Sequence, residues 1–300
     1  MNWFIFYSEK PNYLSIMFGR LSKKYVEFIA GNNKKSFGEK FSPEWCNSTT
    51  TSIGWNIISF SGKKYFEDQL YSIASFYRNI GRPNSWTVFT DGSYTEKQLD
   101  QFKSIAGIKI KQVDKSASSL GFDALMKYPT LQKIEILRDI VKPDITTLFS
   151  DSDILFFPSL REFIPALQKS NWYLVDEGNG YFDKDYIQNH IAIINPLNLG
   201  LLILNESINW QFVTNYLLTR IKQGRLEYWS DQTACHIMMG NNSRFMPLDK
   251  AYFVVGGNDS FKIRHAVNYN KIALRHFVGP VRHKMWQTDW KKVLNLPSYN

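Results

Sequence analysis

Between Ile53 and Ser150, short runs of β-forming residues alternate with segments of helical periodicity, and this alternation restricts the chain to few architectures. Residues 53–60 (Ile-Gly-Trp-Asn-Ile-Ile-Ser-Phe) form a strand-like run that stops at Ser61-Gly62. Residues 65–78 then place Phe66, Leu70, Ile73, Ala74 and Tyr77 at helical spacing, with Gly81 and Pro83 to end the helix. A second strand at 86–90 closes on Asp91-Gly92, a short polar helix covers 95–104, and a third strand covers 108–113. Residues 131–141 read as helix as far as Pro143, and the apolar run 146–150 feeds Asp151. Strands separated by helical segments of roughly 10–15 residues predict an α/β fold with a mostly parallel, Rossmann-like central sheet flanked by helices. Ligands of such sheets lie off the carboxyl ends of the strands, which places Ser61, Asp91 and Asp151 on one rim.

The chain has 300 residues, 44% hydrophobic and 16% aromatic, enough to bury a substantial core. Residues 1–51 read as an N-terminal extension that mixes aromatic patches with a basic run over 31–40. A boundary near Ser52 leaves 52–300 as one catalytic domain. No apolar run approaches the ~18–20 residues of a spanning helix, and no basic leader precedes the apolar start. Cys46 and Cys235 are far apart and outside any CxxC spacing, so neither a disulfide framework nor a zinc site is expected, and a cytoplasmic setting is. The net charge is +9, and residues 262–300 carry eight Lys/Arg against Asp289 alone. Such a segment suits a phosphate-bearing ligand, an anionic membrane at whose inner face the protein would sit peripherally, or nucleic acid; it also suits a merely solvated face.

The sharpest local feature is residues 148–158, Leu-Phe-Ser-Asp-Ser-Asp-Ile-Leu-Phe-Phe-Pro. Asp151 and Asp153 sit between apolar runs, where two carboxylates repel unless a counter-charge joins them. A divalent cation supplies one, since Mg²⁺ and Mn²⁺ take carboxylate oxygens together with substrate phosphates and water. Asp-x-Asp is also a common tripeptide of solvated loops, and the strand-end context is what separates this instance from those.

The stretch resembles the Asp-x-Asp motif of GT-A glycosyltransferases, in which a pair of aspartates holds the metal of a metal–nucleotide diphosphate. Three further elements follow in the order found in the bacterial family 8-like enzymes. Asn198-Leu199-Gly200 resembles the Asn-Ala-Gly strand that floors the sugar pocket, and Trp229-Ser230-Asp231-Gln232-Thr233 resembles the Asp-Gln segment facing the reaction centre. His276 to Arg282 resembles the His-x-x-Gly-x-x-Lys element, in which the His is a third metal ligand and the basic residue contacts the diphosphate. The resemblance spans about residues 53–286 and implies Mn²⁺ or Mg²⁺ as cofactor, held by Asp151, Asp153 and His276. It implies a nucleotide-sugar donor, UDP-sugar by family weight, touched by Asp151, Ser152, Asn198, Gly200, Gly279 and Arg282. A saccharide or glycolipid acceptor would be the partner, not nucleic acid.

The residues have readings of their own. Imidazole is a good ligand for Mn²⁺-like ions, although a lone His is more often structural. Arg282 offers a planar fork to phosphate oxygens. Gly200 marks a close approach by backbone or ligand, or a packing glycine. Ser230 can cap a helix, in which case Asp231 merely favours the dipole; otherwise Asp231 and Gln232 address the acceptor, the donor hydroxyls and the anomeric carbon. Lys133 or Arg138 would reach the donor, and Ser61 and Asp91 the base and ribose. Asp176, Asp183 and Asp185 flank a Gly/Asn-rich stretch that reads as an active-site loop carrying solvated acids.

The reaction implied is glycosyl transfer with retention. An inverting enzyme would need a carboxylate base, which Asp231 or Asp176 could supply. A haloacid dehalogenase-type phosphatase also uses Asp-x-Asp after a strand, but Ile154-Leu155-Phe156-Phe157 replaces the Thr or Val expected after its second Asp. A non-catalytic carbohydrate- or nucleotide-binding protein would not require Asp151, Asp153 and His276 together.

Overall fold

The computed structural model describes residues 13–139, 145–178, 181–190, 193–240, 242–256 and 271–296. Among these residues ten strands form two sheets: β1 Ser52–Ser61, β2 Arg82–Thr90, β3 Ile108–Gln112, β4 Thr147–Ser150, β5 Ile154–Phe156, β6 Asn171–Val175, β7 Leu197–Leu204, β8 Phe245–Pro247, β9 Phe253–Val255 and β10 Leu274–His276. The seven-stranded sheet runs β3-β2-β1-β4-β7-β6-β8, and a three-stranded sheet runs β5-β10-β9. Within the large sheet only β7 opposes its neighbours β4 and β6; the other pairings are parallel.

The mostly parallel sheet expected from the strand–helix alternation is present. β2 begins at Arg82, earlier than the apolar run suggests, because Pro83 pairs on the β1 side where β3 does not yet reach and no donor is needed. The helix after Pro129–Leu131, a 3₁₀ turn, spans Gln132–Arg138; Val141 and Pro143 lie outside the described residues.

Every residue of β7 is buried, as a strand covered on both faces must be. One apolar cluster, holding Trp55, Leu148, Leu201 and Ile203, packs under the helix Phe66–Asn79. The other, holding Ile58, Phe149, Leu199 and Leu202, packs under Gln132–Arg138, Gln211–Lys222 and Ser230–Gly240. The helix Tyr13–Lys40 joins the first cluster. Its Phe37 is fully buried, with ring centroids 5.2 Å from Tyr71, 5.3 Å from Trp286 and 5.6 Å from Trp290. Lys34 pairs at 2.9 Å with buried Asp68, which also accepts from the Trp286 indole at 2.7 Å.

The basic C-terminal segment is partly internal. Arg275 and Lys284 are buried, so they are not available to a membrane surface, while Lys262, Arg264 and Tyr299 lie outside the described residues. Among the described residues no helix is long and apolar enough to cross a membrane.

Candidate active site

The turn Asp151-Ser152-Asp153 is the crossover from β4 in the large sheet to β5 in the small one. The Asp151 amide donates to the Gly200 carbonyl at 2.8 Å, which anchors the turn to β7. On its other side β10 pairs antiparallel with β5 and sets His276 opposite Ile154, and the Phe277 amide donates to the Asp153 carbonyl at 2.9 Å. Two sheets therefore deliver residues 123 positions apart to one point.

There His276 Nε2 stands 3.1 Å from Asp153 Oδ1 and 3.8 Å from Asp151 Oδ2. One ligand atom from each of Asp151, Asp153 and His276 lies within 4.8 Å of the other two. Each carboxylate also has its own cation. Lys133 Nζ is 2.7 Å from the Asp151 carboxylate, and Arg282 donates to Asp153 Oδ2 from Nε at 2.9 Å and Nη2 at 2.5 Å. Burial alone would raise the Asp153 carboxyl, but the charges of and hydrogen bonds from His276 and Arg282 hold it well below the usual carboxylate range. Arg138 instead pairs with Glu135 at 2.8 Å and Asp139 at 3.1 Å, so Lys133 is the basic residue of its helix that reaches the site. Ser152 is buried between the two aspartates.

Gly279 opens the 3₁₀ turn Gly279–Trp286 with φ +32°, a conformation that side chains resist. No heavy atom lies within 4 Å of the Cβ it lacks, so the backbone angle rather than a close approach calls for glycine. Arg282 follows one 3₁₀ turn later and stacks on the Tyr65 ring at 4.0 Å.

Gly200 is different. A Cβ there would stand 2.1 Å from His276 Cε1 and 2.5 Å from Nδ1, so the imidazole itself makes the close approach. Asn198, on the same face two residues earlier, accepts from the Gly200 amide at 2.9 Å and meets His276 Nδ1 at 3.0 Å through Oδ1. Its Nδ2 donates to Asp176 Oδ2 at 2.7 Å.

Gln232 is held at both ends of its amide: Oε1 accepts from the Leu199 amide at 3.1 Å and Nε2 donates to the Tyr181 carbonyl at 2.9 Å. Ser230 does not serve as a simple helix cap; its hydroxyl accepts from the Glu227 amide at 2.9 Å and donates to Asp183 at 2.7 Å. Burial pushes the neighbouring Asp231 carboxyl up to about 6, opposed by Lys133 and by the Gln232 amide.

Ser61 and Asp91 end the adjacent strands β1 and β2. The Ser61 hydroxyl is buried against Gln69 Oε1 at 3.1 Å and the Tyr94 hydroxyl at 2.5 Å. Asp91 accepts from the Ser93 amide at 2.9 Å and its Oδ2 stands 2.5 Å from the Cβ that Gly62 lacks.

Sequence reasoning missed the linking roles of Asp176, which ends β6 on the same rim as Asp151, and of Tyr65 beneath Arg282. Asp183 is no solvated acid: it is fully buried, and Arg220 lies 3.3 Å away. Asn179 and Gly180 of the Gly/Asn-rich stretch lie outside the described residues.

No protein-family model and no curated protein matches the chain. Solved structures do. The galactosyltransferase LgtC, in complex with donor and acceptor sugar analogues, is similar with a TM-score of 0.55 and 12% identity over 82% of this chain and 97% of that one. The bifunctional glycosyltransferase WbbM in its apo form gives 0.55 and 16% identity over 81% of this chain and 50% of that one, so the present chain spans half of WbbM. The apo form of GlyE from Streptococcus pneumoniae TIGR4 gives 0.51 and 13% identity over 81% of this chain and 62% of that one. The chain has the GT-A fold of these glycosyltransferases.

Proposed function

We propose that this protein is a metal-dependent glycosyltransferase that moves a sugar from a nucleoside diphosphate sugar, UDP being the nucleotide, to a hydroxyl of a saccharide or glycolipid acceptor with retention of configuration. The observation that carries the proposal is the convergence of Asp151, Asp153 and His276, with ligand atoms within 4.8 Å, at the strand-end rim of a GT-A sheet. Two carboxylate oxygens and one imidazole nitrogen fit Mn²⁺ or Mg²⁺, and the compact cluster leaves phosphate oxygens and water to complete the shell. When bound, such an ion stabilises the charge that develops on the departing diphosphate.

Lys133 and Arg282 bring two positive charges to the edge of the same cluster, matched to a diphosphate. Tyr65 holds the Arg282 plane from beneath. Ser152 and Gly279 line the same turns, and Ser61 and Asp91, on the neighbouring strand ends, are assigned to the nucleoside. Gln232, fixed by two backbone bonds, and Asp231 are assigned to the reaction centre, where they orient donor and acceptor hydroxyls.

A nucleotide-sugar screen, read as nucleoside diphosphate release with Mn²⁺ or with EDTA, tests the proposal. Turnover that requires the ion and falls to background in Asp153→Ala is expected; ion-independent turnover would refute it. One observation favours inversion as a second reading: the Asp231 carboxyl, raised to about 6, suits a general base. NMR of the product anomer decides between the two.

A further inference from the structure

We infer that Asp176 and Asn198 are positioning residues that fix the orientation and tautomer of His276 for cation binding. The inference rests on the metal reading above. Which end of an asparagine amide is oxygen is ordinarily an assignment made from its neighbours. Here two neighbours agree. The Gly200 amide donates to Asn198 Oδ1 at 2.9 Å, and Asp176 Oδ2 accepts from Nδ2 at 2.7 Å. A flipped amide would set NH₂ against an N–H and oxygen against a carboxylate, losing both bonds.

An oxygen fixed 3.0 Å from His276 Nδ1 requires a proton on that nitrogen. Nε2, 3.1 Å from Asp153 and 3.8 Å from Asp151, is then the nitrogen left for a cation, which would take the place of the proton that otherwise bridges Nε2 to Asp153. Ring orientation is set by the same strand. The imidazole lies over Gly200, where any Cβ would collide with Cε1 at 2.1 Å. Asn198, Asp176 and His276 are all buried, so water does not compete for these bonds.

Asp176 is itself committed. Its Oδ1 accepts from the Glu177 amide at 2.8 Å while Oδ2 holds Asn198. That arrangement suits a carboxylate that orients another residue rather than one that takes a proton from a substrate. Partners behind a ligating histidine commonly change metal affinity by about 10–100-fold when removed.

Mn²⁺ titration of the full chain, followed by EPR of the free ion, gives the first readout. Asn198→Ala, or Asn198→Ser should the alanine variant not fold, is expected to weaken Mn²⁺ binding by about 10–100-fold. Asp176→Ala is expected to weaken it by roughly tenfold, whereas Asp176→Asn, whose single amide oxygen can keep the Asn198 bond at the cost of the Glu177 one, is expected to weaken it less, by about threefold. The second readout needs no variant: ¹⁵N NMR of the Mg²⁺-loaded wild type should show the His276 proton on Nδ1. Folded Asn198 and Asp176 variants with wild-type affinity, or an Nε2 proton in the Mg²⁺-loaded state, would overturn the inference. So would Asp176→Asn that loses turnover at unchanged Mn²⁺ affinity, because that outcome makes Asp176 a base. If His276→Ala and Asp153→Ala also bind Mn²⁺ like wild type, the metal reading itself has failed, and the positioning role fails with it.

Discussion

The chain contains two Asp-x-Asp tripeptides, Asp151-Ser152-Asp153 and Asp183-Lys184-Asp185, each with one buried aspartate, Asp153 and Asp183, and they do opposite things with their charge. At the second, one guanidinium serves both acids: Arg220 lies 3.3 Å from Asp183 and donates twice to Asp185, at 2.5 and 3.1 Å. Asp183 also accepts from Ser230 and from the Tyr216 hydroxyl at 2.9 Å. At the first, the cations are divided, Lys133 on Asp151 and Arg282 on Asp153, and an imidazole nitrogen enters between the carboxylates. The carboxyls respond accordingly. Burial raises Asp183 despite its partners, whereas His276 and Arg282 overcome burial at Asp153 and lower it. The tripeptide alone does not make a candidate metal site; a third ligand-bearing side chain and a divided counter-charge set the first apart from the second.

The widest separation between the two motifs should appear in turnover. Asp153→Asn is expected to lower kcat/KM by about 10³-fold or more with a near-native melt, since the stabilisation lost belongs to the transition state. Asp183→Asn should leave it within a few-fold, and equal losses would erase the distinction. Stability should separate them the other way. Arg220→Met strands a buried acid and is expected to cost about 3 kcal/mol in urea denaturation, discounted because Asp183 can take up a proton. Gly200→Ala must displace the imidazole, and Mn²⁺-dependent turnover is expected to fall by about 10²-fold while strand content by circular dichroism persists.

The smallest effect concerns Asp231, beside the first motif. Its folded-state pKa of about 6 lies above the ordinary aspartate value of about 4, so its stabilising contribution is complete below about pH 4 and is lost as pH rises through 6. Asp231→Asn should therefore be more stable than wild type at pH 7, by about 1–2 kcal/mol after the loss of its attraction to Lys133. The difference should vanish near pH 4. A variant destabilised at pH 7 would contradict the sign.

Much of this was legible before any coordinates. The strands through residue 113 follow from alternation and turn residues, and the framed Asp-x-Asp, His276 and Arg282 stand out in the sequence as candidate metal and diphosphate ligands. What local pattern could not show was tertiary. β5, β9 and β10 have three residues each, too few for periodicity, yet they bring His276 to Asp153. The run over 31–40 reads only as a basic stretch of an extension, yet it continues the helix Tyr13–Lys40, whose Phe37 is buried among Tyr71, Trp286 and Trp290. Arg282 read as a diphosphate ligand, while its bond to Asp153 spans 129 positions and leaves no trace in local spacing. Asp183 and Asp185 looked like loop acids because Arg220 arrives from a separate helix.

The most direct measurement is an EPR titration of Mn²⁺, in the presence of UDP, on wild type, Asp153→Ala and Asp183→Asn. One bound ion is predicted for wild type and Asp183→Asn, with binding lost in Asp153→Ala. Undiminished binding by Asp153→Ala, or loss confined to Asp183→Asn, would contradict the assignment of the metal to Asp151, Asp153 and His276.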